Sequence, residues 1–366
     1  MSMHWGLDTM MKESQGLKWL LGLAGVIVII AGLKAAETIV IPIMLALFVA
    51  IISMPFQRLL TKRGVPPALS VLIVLLTLVV FGGILVTVVT QSIDSFISRL
   101  PNYQVRMQEI MADLLPYLEG HGLPLSKDLV MDHFNPGQAM GLVGTMLANV
   151  GSLLTNLFLV LFIVIFLLLE EAAFSKKLRV ALPNATKQLS SASGFMRQVN
   201  QYLMIKTTIS FITGVLVTCW LWFLDVDFPV LWGLIAMLMN YIPNVGSLIA
   251  AVPAVLLSLV QLGVGDAMLV ASGYVAINVI MGNLIEPRYM GRGLGLSPLV
   301  VFLSLIIWGW LFGPAGMFLS IPLTMIVKIA LEQNHSTAWI GIMLGSEPLD
   351  EEVEEANQKA LQSGEH

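Results

Sequence analysis

The chain has 366 residues, of which 57% are hydrophobic and only 11% charged, with a formal net charge of −4. A soluble domain carries roughly 25% charged residues, so a water-facing globule is excluded, and no basic run offers a surface to nucleic acid. The single cysteine, Cys219, cannot form an intramolecular disulfide.

The apolar residues lie in long blocks. A polar stretch, 1–16, precedes the first block at 19–33, which lacks a small-residue cleavage motif and reads as a retained span. Blocks at 38–56, 65–89, 153–169 and 207–224 follow. Each is close to the ~20 residues a helix needs to cross a ~30 Å hydrocarbon layer. Between the third and fourth blocks lies a polar insertion, 91–149. In it Met107, Ile110, Met111, Leu114, Leu115 and Leu118 recur at helical spacing opposite Arg106, Glu109 and Asp113. Such a helix lies on the outer leaflet or packs in an oligomer, and Pro116 is expected to bend its end. After Glu170-Glu171 a second stripe, Ala192, Phe195, Met196, Val199 and Leu203, is expected to dock on the membrane face of the bundle, with Arg197 and Lys206 pairing with lipid phosphates.

The second half departs from simple spans. Two apolar stretches, 228–262 and 299–329, are each cut by turn chemistry, at 240–247 and 309–316. Their half-segments are short for a full crossing, which points to re-entrant hairpins or broken helices. One ordinary span, 267–285, sits between them. The tail from Glu347 is acidic, with Asp350, Glu351, Glu352, Glu354 and Glu355. The expected fold is thus an all-α integral membrane protein, a polytopic helix bundle with two Pro/Gly-broken hairpins in its C-terminal half. Its segments are scaffold spans (1–90), an extracytoplasmic insertion (91–149), a span with a cytoplasmic amphipathic segment (150–206), a transport core (207–331) and an acidic cytoplasmic tail (332–366).

Charge distribution orients it. With the amino terminus in the cytoplasm, Lys34, Arg99, Arg106 and Lys127 fall outside, and the other 15 of 19 Lys and Arg fall inside. The positive-inside rule predicts that bias, giving N-in and C-in.

Paired Pro/Gly-broken segments are the best sequence pointer to a transporter binding site. Asn240, Asn244, Ser247, Asn278, Asn283 and Glu286 cluster there within apolar sequence. Asparagine offers donors and acceptors without charge, which suits a neutral, hydroxyl-rich substrate. The competing account is interhelical glue. Binding is therefore assigned to Asn240, Asn244, Ser247, Asn278 and Asn283. Gating is assigned to Pro243 and Gly246, to Glu286, Arg288 and Arg292, and to Gly313 and Pro314. Glu286 is expected to pair with Arg288 or Arg292 at the cytoplasmic mouth. The five histidines are scattered, and no Walker, nucleophile-elbow or metalloprotease pattern occurs. No enzyme is indicated, and no cofactor or metal.

The 240–247 turn, the 286–295 loop and the 312–322 segment resemble the autoinducer-2 exporter family of bacterial membrane proteins. The runs 203–207 and Met290-Gly291-Arg292-Gly293-Leu294-Gly295-Leu296-Ser297 extend the resemblance, which covers nearly the whole chain. It implies a multi-pass transporter of the bacterial inner membrane, a homo-oligomer of five copies, exporting a quorum-sensing polyol. Some relatives resemble sodium/proton antiporters in activity. That alternative needs intramembrane carboxylates, and here Asp225, Asp227, Asp266 and Glu286 all lie near predicted membrane edges. A non-transporting scaffold, the third reading, has no need of two broken hairpins lined with amides.

Overall fold

The computed structural model describes residues 4–120, 141, 144–145, 157–181, 185–243, 245–290, 295–332 and 337–346. It is helical, with no strand among the described residues. In chain order the helices are α1 (His4–Ala35), α2 (Glu37–Lys62), α3 (Pro67–Gly120), α4 (Leu157–Ala181), α5 (Ala185–Phe223), α6 (Pro229–Met239) and α7 (Gly246–Leu262). There follow α8 (Val264–Met290), α9 (Pro298–Phe318), α10 (Ser320–Glu332) and α11 (Ala338–Met343). Five described helices are long and apolar enough to cross a membrane: α2, Pro67–Ile110 of α3, Arg197–Phe223 of α5, α8 and α9. Their outward faces, and those of the shorter apolar helices beside them, carry large apolar side chains such as Leu20, Val28, Phe158, Trp222 and Trp310. A water-soluble protein does not leave so much of its apolar surface open.

Two expected boundaries are absent. The third span and the insertion's amphipathic stripe form one helix, α3, which runs through Pro116 to Gly120. At about 1.5 Å per residue its 54 residues exceed any hydrocarbon layer, so its outer end extends beyond the apolar zone. Met107 of the stripe is buried; Met111, Leu114, Leu115 and Leu118 fall outside the described side chains. The second stripe likewise belongs to α5, continuous with the fifth span, and buries Val199 and Leu203. Ala192, Phe195 and Met196 also fall outside the described side chains, and the acidic tail from residue 347 lies outside the described residues.

Three apolar clusters hold the bundle together. One joins Ala46 and Ala50 of α2 to Val71 and Val74 of α3 and Val160, Val164 and Leu168 of α4. A second joins the outer part of α3 (Val89, Phe96, Tyr103, Met107) to α5, α6, α7 and α8 around Trp232. A third joins Phe48 and Ile51 of α2 to Tyr202 and Leu203 of α5, Tyr241, and Ile321 and Met325 of α10. The most extensive pairing is α5 on α6, where Gly214 and Gly233 face each other. A Cβ on Gly233 would fall 2.6 Å from the Gly214 carbonyl oxygen, so only glycine permits this approach. Small residues at such crossings are the usual means of packing membrane helices, because dispersion rather than water exclusion drives it.

The second apolar stretch turns at Gly313, whose φ of 61° and ψ of −147° lie outside the helical region. Beyond it the chain doubles back: Gly309 lies against Met317, and Trp308 Nε1 donates to Thr324 Oγ1 of α10 at 2.9 Å. Pro314 has no N–H, so the carbonyl four residues before it, that of Trp310, loses its helical donor. Lys34 at the end of α1 replaces it. Its Nζ donates to the carbonyls of Trp310 (3.3 Å) and Leu311 (3.1 Å) while pairing with Glu37 at 2.7 Å.

Two stability outcomes are expected from these contacts. Gly233→Val should lower stability in detergent by about 1–3 kcal/mol through overpacking, read as a lower Tm, whereas Gly22→Ala, with nothing near its Cβ, should leave it unchanged. Lys34→Met should cost about 1–2 kcal/mol by the same assay, with Lys34→Arg losing less because it keeps donors in reach.

Candidate transport site

The chain breaks between α6 and α7, and the break satisfies its own backbone. The N–H groups of Asn240, Tyr241 and Ile242 donate to the carbonyls of Ala236, Leu238 and Met239, and that of Val245 donates to the Pro243 carbonyl at 2.6 Å. Gly246 opens α7 against the Met239 carbonyl, and Ser247 is half-buried beside it. Asn244 lies outside the described residues, as does Arg292.

The turn delivers its side chains to α5. Asn240 Nδ2 donates to Ser210 Oγ at 2.9 Å, and the Tyr241 hydroxyl donates to Thr207 Oγ1 at 2.8 Å. The Tyr241 ring lies 4.2 Å from that of Phe318 and 5.6 Å from that of Phe48, and Phe48 meets Phe318 at 5.0 Å. The two interrupted segments therefore meet at three aromatic rings, edge-on or tilted as ring quadrupoles prefer.

Helix α8 runs antiparallel to α5. Gly273 sits against Trp220 at one end, and Glu286 against Lys206 at the other. Two helices with the same rise keep step, which brings Asn283 to the height of Ser210 and Asn278 to that of Gly214. Asn240 and Asn283 thus stand near the height of Ser210, and Asn278 about one turn away, near that of Gly214. Asn240 is committed to Ser210. Asn278 is half-buried and Asn283 exposed, and among the described residues neither has a hydrogen-bond partner. The buried Thr213 hydroxyl, one turn from Ser210, is also unpaired among them, as is the Tyr274 hydroxyl one turn before Asn278.

Sequence reasoning missed two features here. The span expected to be ordinary contains a π-helical segment, Val279–Ile285. Its i→i+5 bonding inserts about one residue relative to the α ladder and turns the residues beyond it to a new direction; such segments are frequent at functional sites. Glu286 is the first residue so turned. Its expected pairing with Arg288 is replaced: both Glu286 oxygens accept from Lys206 Nζ, at 2.7 and 2.9 Å. Residues two apart on a helix do not face each other, and Arg288 is exposed. Lys206, expected at lipid phosphates, is instead buried, its side chain 5% exposed against 16% for Glu286. The other gating residues stand at the breaks themselves, Pro243 in the first and Gly313 and Pro314 in the second.

The second missed feature is a polar network at the far end of α5. Asp227 Oδ2 accepts from Arg99 at 2.8 Å and from the Tyr103 hydroxyl at 2.6 Å. The Asp227 N–H donates to Gln261 Oε1 at 2.8 Å, and Gln261 Nε2 donates to the Asp225 carbonyl at 2.9 Å. Trp232 Nε1 donates to the Asp227 carbonyl at 2.9 Å. The network ties α3 to both ends of the α6–α7 hairpin.

Known proteins resemble this chain in sequence. A model of the AI-2E family transporters matches residues 23–335. The AI-2 transport protein TqsA of Escherichia coli is 39% identical over 329 residues, 90% of this chain and 96% of its own length. A Haemophilus influenzae protein described as a transport protein without a stated substrate is 40% identical over 334 residues, 89% of this chain and 95% of its own. The Escherichia coli protein YhhT, described in the same way, is 34% identical over 342 residues, 93% of this chain and 97% of its own. The family and these relatives are named as transport proteins rather than enzymes, and the chain belongs to the AI-2E transporter family.

Proposed function

We propose that the chain exports a small polyhydroxylated signal, with autoinducer-2 as the first candidate, across the bacterial inner membrane by alternating access. The observation that carries this reading is the set of uncharged hydrogen-bonding groups on α5 and α8 between the heights of Ser210 and Gly214. The amides of Asn278 and Asn283 and the Thr213 hydroxyl stand there without partners among the described residues. Amides and hydroxyls replace water around a neutral polyol without the cost of burying charge. Asn240, Asn244 and Ser247, at the adjoining turn, complete the proposed binding set. The name of the TqsA relative, an AI-2 transport protein, supports the substrate. In this reading both termini are cytoplasmic and the two hairpins are re-entrant, α6–α7 from outside and α9–α10 from inside. They move against the first spans, gated at Pro243, Gly246, Gly313 and Pro314. Five copies assemble, surrounded by lipid.

The buried Lys206–Glu286 pair supports a second reading, the sodium/proton antiporter. It ranks below the first because a cation site needs a carboxylate free to hold the ion, and both Glu286 oxygens are committed to Lys206.

Purified protein in liposomes should release radiolabelled autoinducer-2 in a saturable manner. Sodium and proton exchange with no autoinducer-2 flux would replace the first reading by the second. Asn278→Ala and Asn244→Ala should each lower flux about 3- to 10-fold, the equivalent of one net hydrogen bond of ~1 kcal/mol, with Tm unchanged. If flux and Tm fall together, these amides are structural glue. On a Cys219→Ser background, joining Tyr241→Cys to Phe318→Cys with a thiol crosslinker should stop transport until reduction. Full transport by the crosslinked protein would exclude a hairpin that moves past this joint.

A further inference from the structure

The Lys206–Glu286 pair is not explained by stability. Removing two charges from water costs several kcal/mol per ion, and replacing such a pair by packed apolar residues is often neutral or stabilising. An ionisable residue within a membrane span is by default functional, and both residues lie within candidate spans. Their placement is specific. Lys206 precedes Thr207, the acceptor of Tyr241, and lies one turn from Ser210, the acceptor of Asn240. Glu286 follows the π segment and lies one turn from Asn283, which has no partner among the described residues. Around Glu286 the described titratable and charged groups are few. Lys206 and the buried Tyr202 face it from α5, and Tyr241 stands next to Tyr202 from the α6–α7 turn. On its own helix Arg288 is exposed, two residues along.

We infer that Glu286 is a proton-exchange site, at which a proton and the Lys206 ammonium compete for the same carboxylate, and that this competition couples substrate movement to a proton gradient. The inference rests on the transport reading above and adds its energy source. A proton bound to a Glu286 oxygen neutralises the carboxylate and removes the charge that holds Lys206. The ammonium keeps its own proton. It is then free to donate to the Asn283 amide oxygen, three donors being available on a flexible stem, and so takes that acceptor from the substrate, which is released. Loss of the proton from Glu286 restores the pair and returns the amide to substrate, so proton and substrate occupy the site in turn and move in opposite directions. One proton is bound and one released per cycle, and no other reactant is required.

The test uses the full chain in liposomes with a trapped pH-sensitive dye and radiolabelled autoinducer-2. The wild type should move protons in fixed ratio to autoinducer-2, and under an imposed pH gradient its proton flux should exceed that of empty liposomes. Glu286→Gln should lower proton flux at least tenfold. Because that variant leaves an ammonium buried without a partner, the double variant Lys206→Met with Glu286→Leu serves as its companion. It should match or exceed the wild-type Tm and still lack proton flux. A folded double variant with wild-type proton flux would overturn the inference and leave the pair structural, as would autoinducer-2 transport by the wild type without proton movement. Absence of autoinducer-2 flux in the wild type overturns the substrate assignment alone. The pair is then judged by whether proton flux under the gradient depends on Glu286.

Discussion

Hydrocarbon offers no hydrogen-bond partners, so every backbone group freed by a broken helix must find one inside the protein. The two interruptions in this chain meet that demand in different ways. Among the described residues, the α6–α7 turn is closed by backbone bonds within residues 236–246. The break at Gly313–Pro314 strips a helical donor from the Trp310 carbonyl, and a lysine from the other end of the sequence supplies the replacement. Lys34 thereby gives α1 a structural role that its packing alone does not. None of the three apolar clusters includes a described residue of α1, and α1 touches only α2 and α9 in quantity.

The same demand explains where polarity is spent. Helix α3 is shared between two clusters, its inner part packed on α2 and α4 and its outer part on α5 to α8. At the outer end, where water begins, Asp227 is satisfied by Arg99, Tyr103 and its own backbone contact with Gln261. Through most of α5 the contacts are apolar or glycine on glycine. Polar side chains are dense between Lys206 and Thr213, the stretch that receives the α6–α7 turn and the end of α8. Thr213 and Tyr274 there are left without partners among the described residues, as are Gln57, Ser258 and Ser320 elsewhere in the bundle; structural glue would have closed each of them.

Much of the fold could be read from residues. Hydropathy gives the spans because crossing length and backbone satisfaction leave few options, and Pro243 and Pro314 mark both interruptions because proline removes a donor wherever it stands. The polar side chains of the candidate site were likewise visible, because amides and carboxylates are rare in apolar runs. The hidden part depends on angular register. Glu286 was expected to pair locally, but a π segment that no residue type announces turns it toward Lys206, 80 positions away in sequence. Lys206 itself looks like a membrane-anchoring lysine until α8 covers it. Lys34, similarly, looked like an outward-facing topology residue, and only the folded chain brings the Trp310 carbonyl to it. Continuity was hidden for a different reason: the polar insertion suggests a boundary after the third span and Pro116 a bend near its end, and a helix long enough to leave the membrane keeps running through both.

The character of the contacts at the two ends of the α6–α7 hairpin bears on how the proposed movement is divided. At its open end the hairpin is held by directional bonds: Asp227 to α3, Gln261 to the Asp225 carbonyl, and Trp232 to the Asp227 carbonyl. A small displacement breaks such bonds, and charge-assisted ones are the strongest of their kind. At its closed end the hairpin meets the second interrupted segment through apolar contacts, the Tyr241 ring against Phe318 with Phe48 of α2 beside them. Ring contacts tolerate sliding, because their attraction varies slowly with offset. The Tyr241 and Asn240 bonds to Thr207 and Ser210 then tie the hairpin's tip to α5 rather than to α9 or α10. On the alternating-access proposal the hairpin's tip accordingly moves with α5, the Asp227 network is its pivot on α3, and the joint with the Gly313 segment is the aromatic seam. Alternating access, as proposed, would open along that seam, and the Lys206–Glu286 pair stands beside the Thr207 and Ser210 bonds that hold the hairpin's tip, where a change of charge would be felt first.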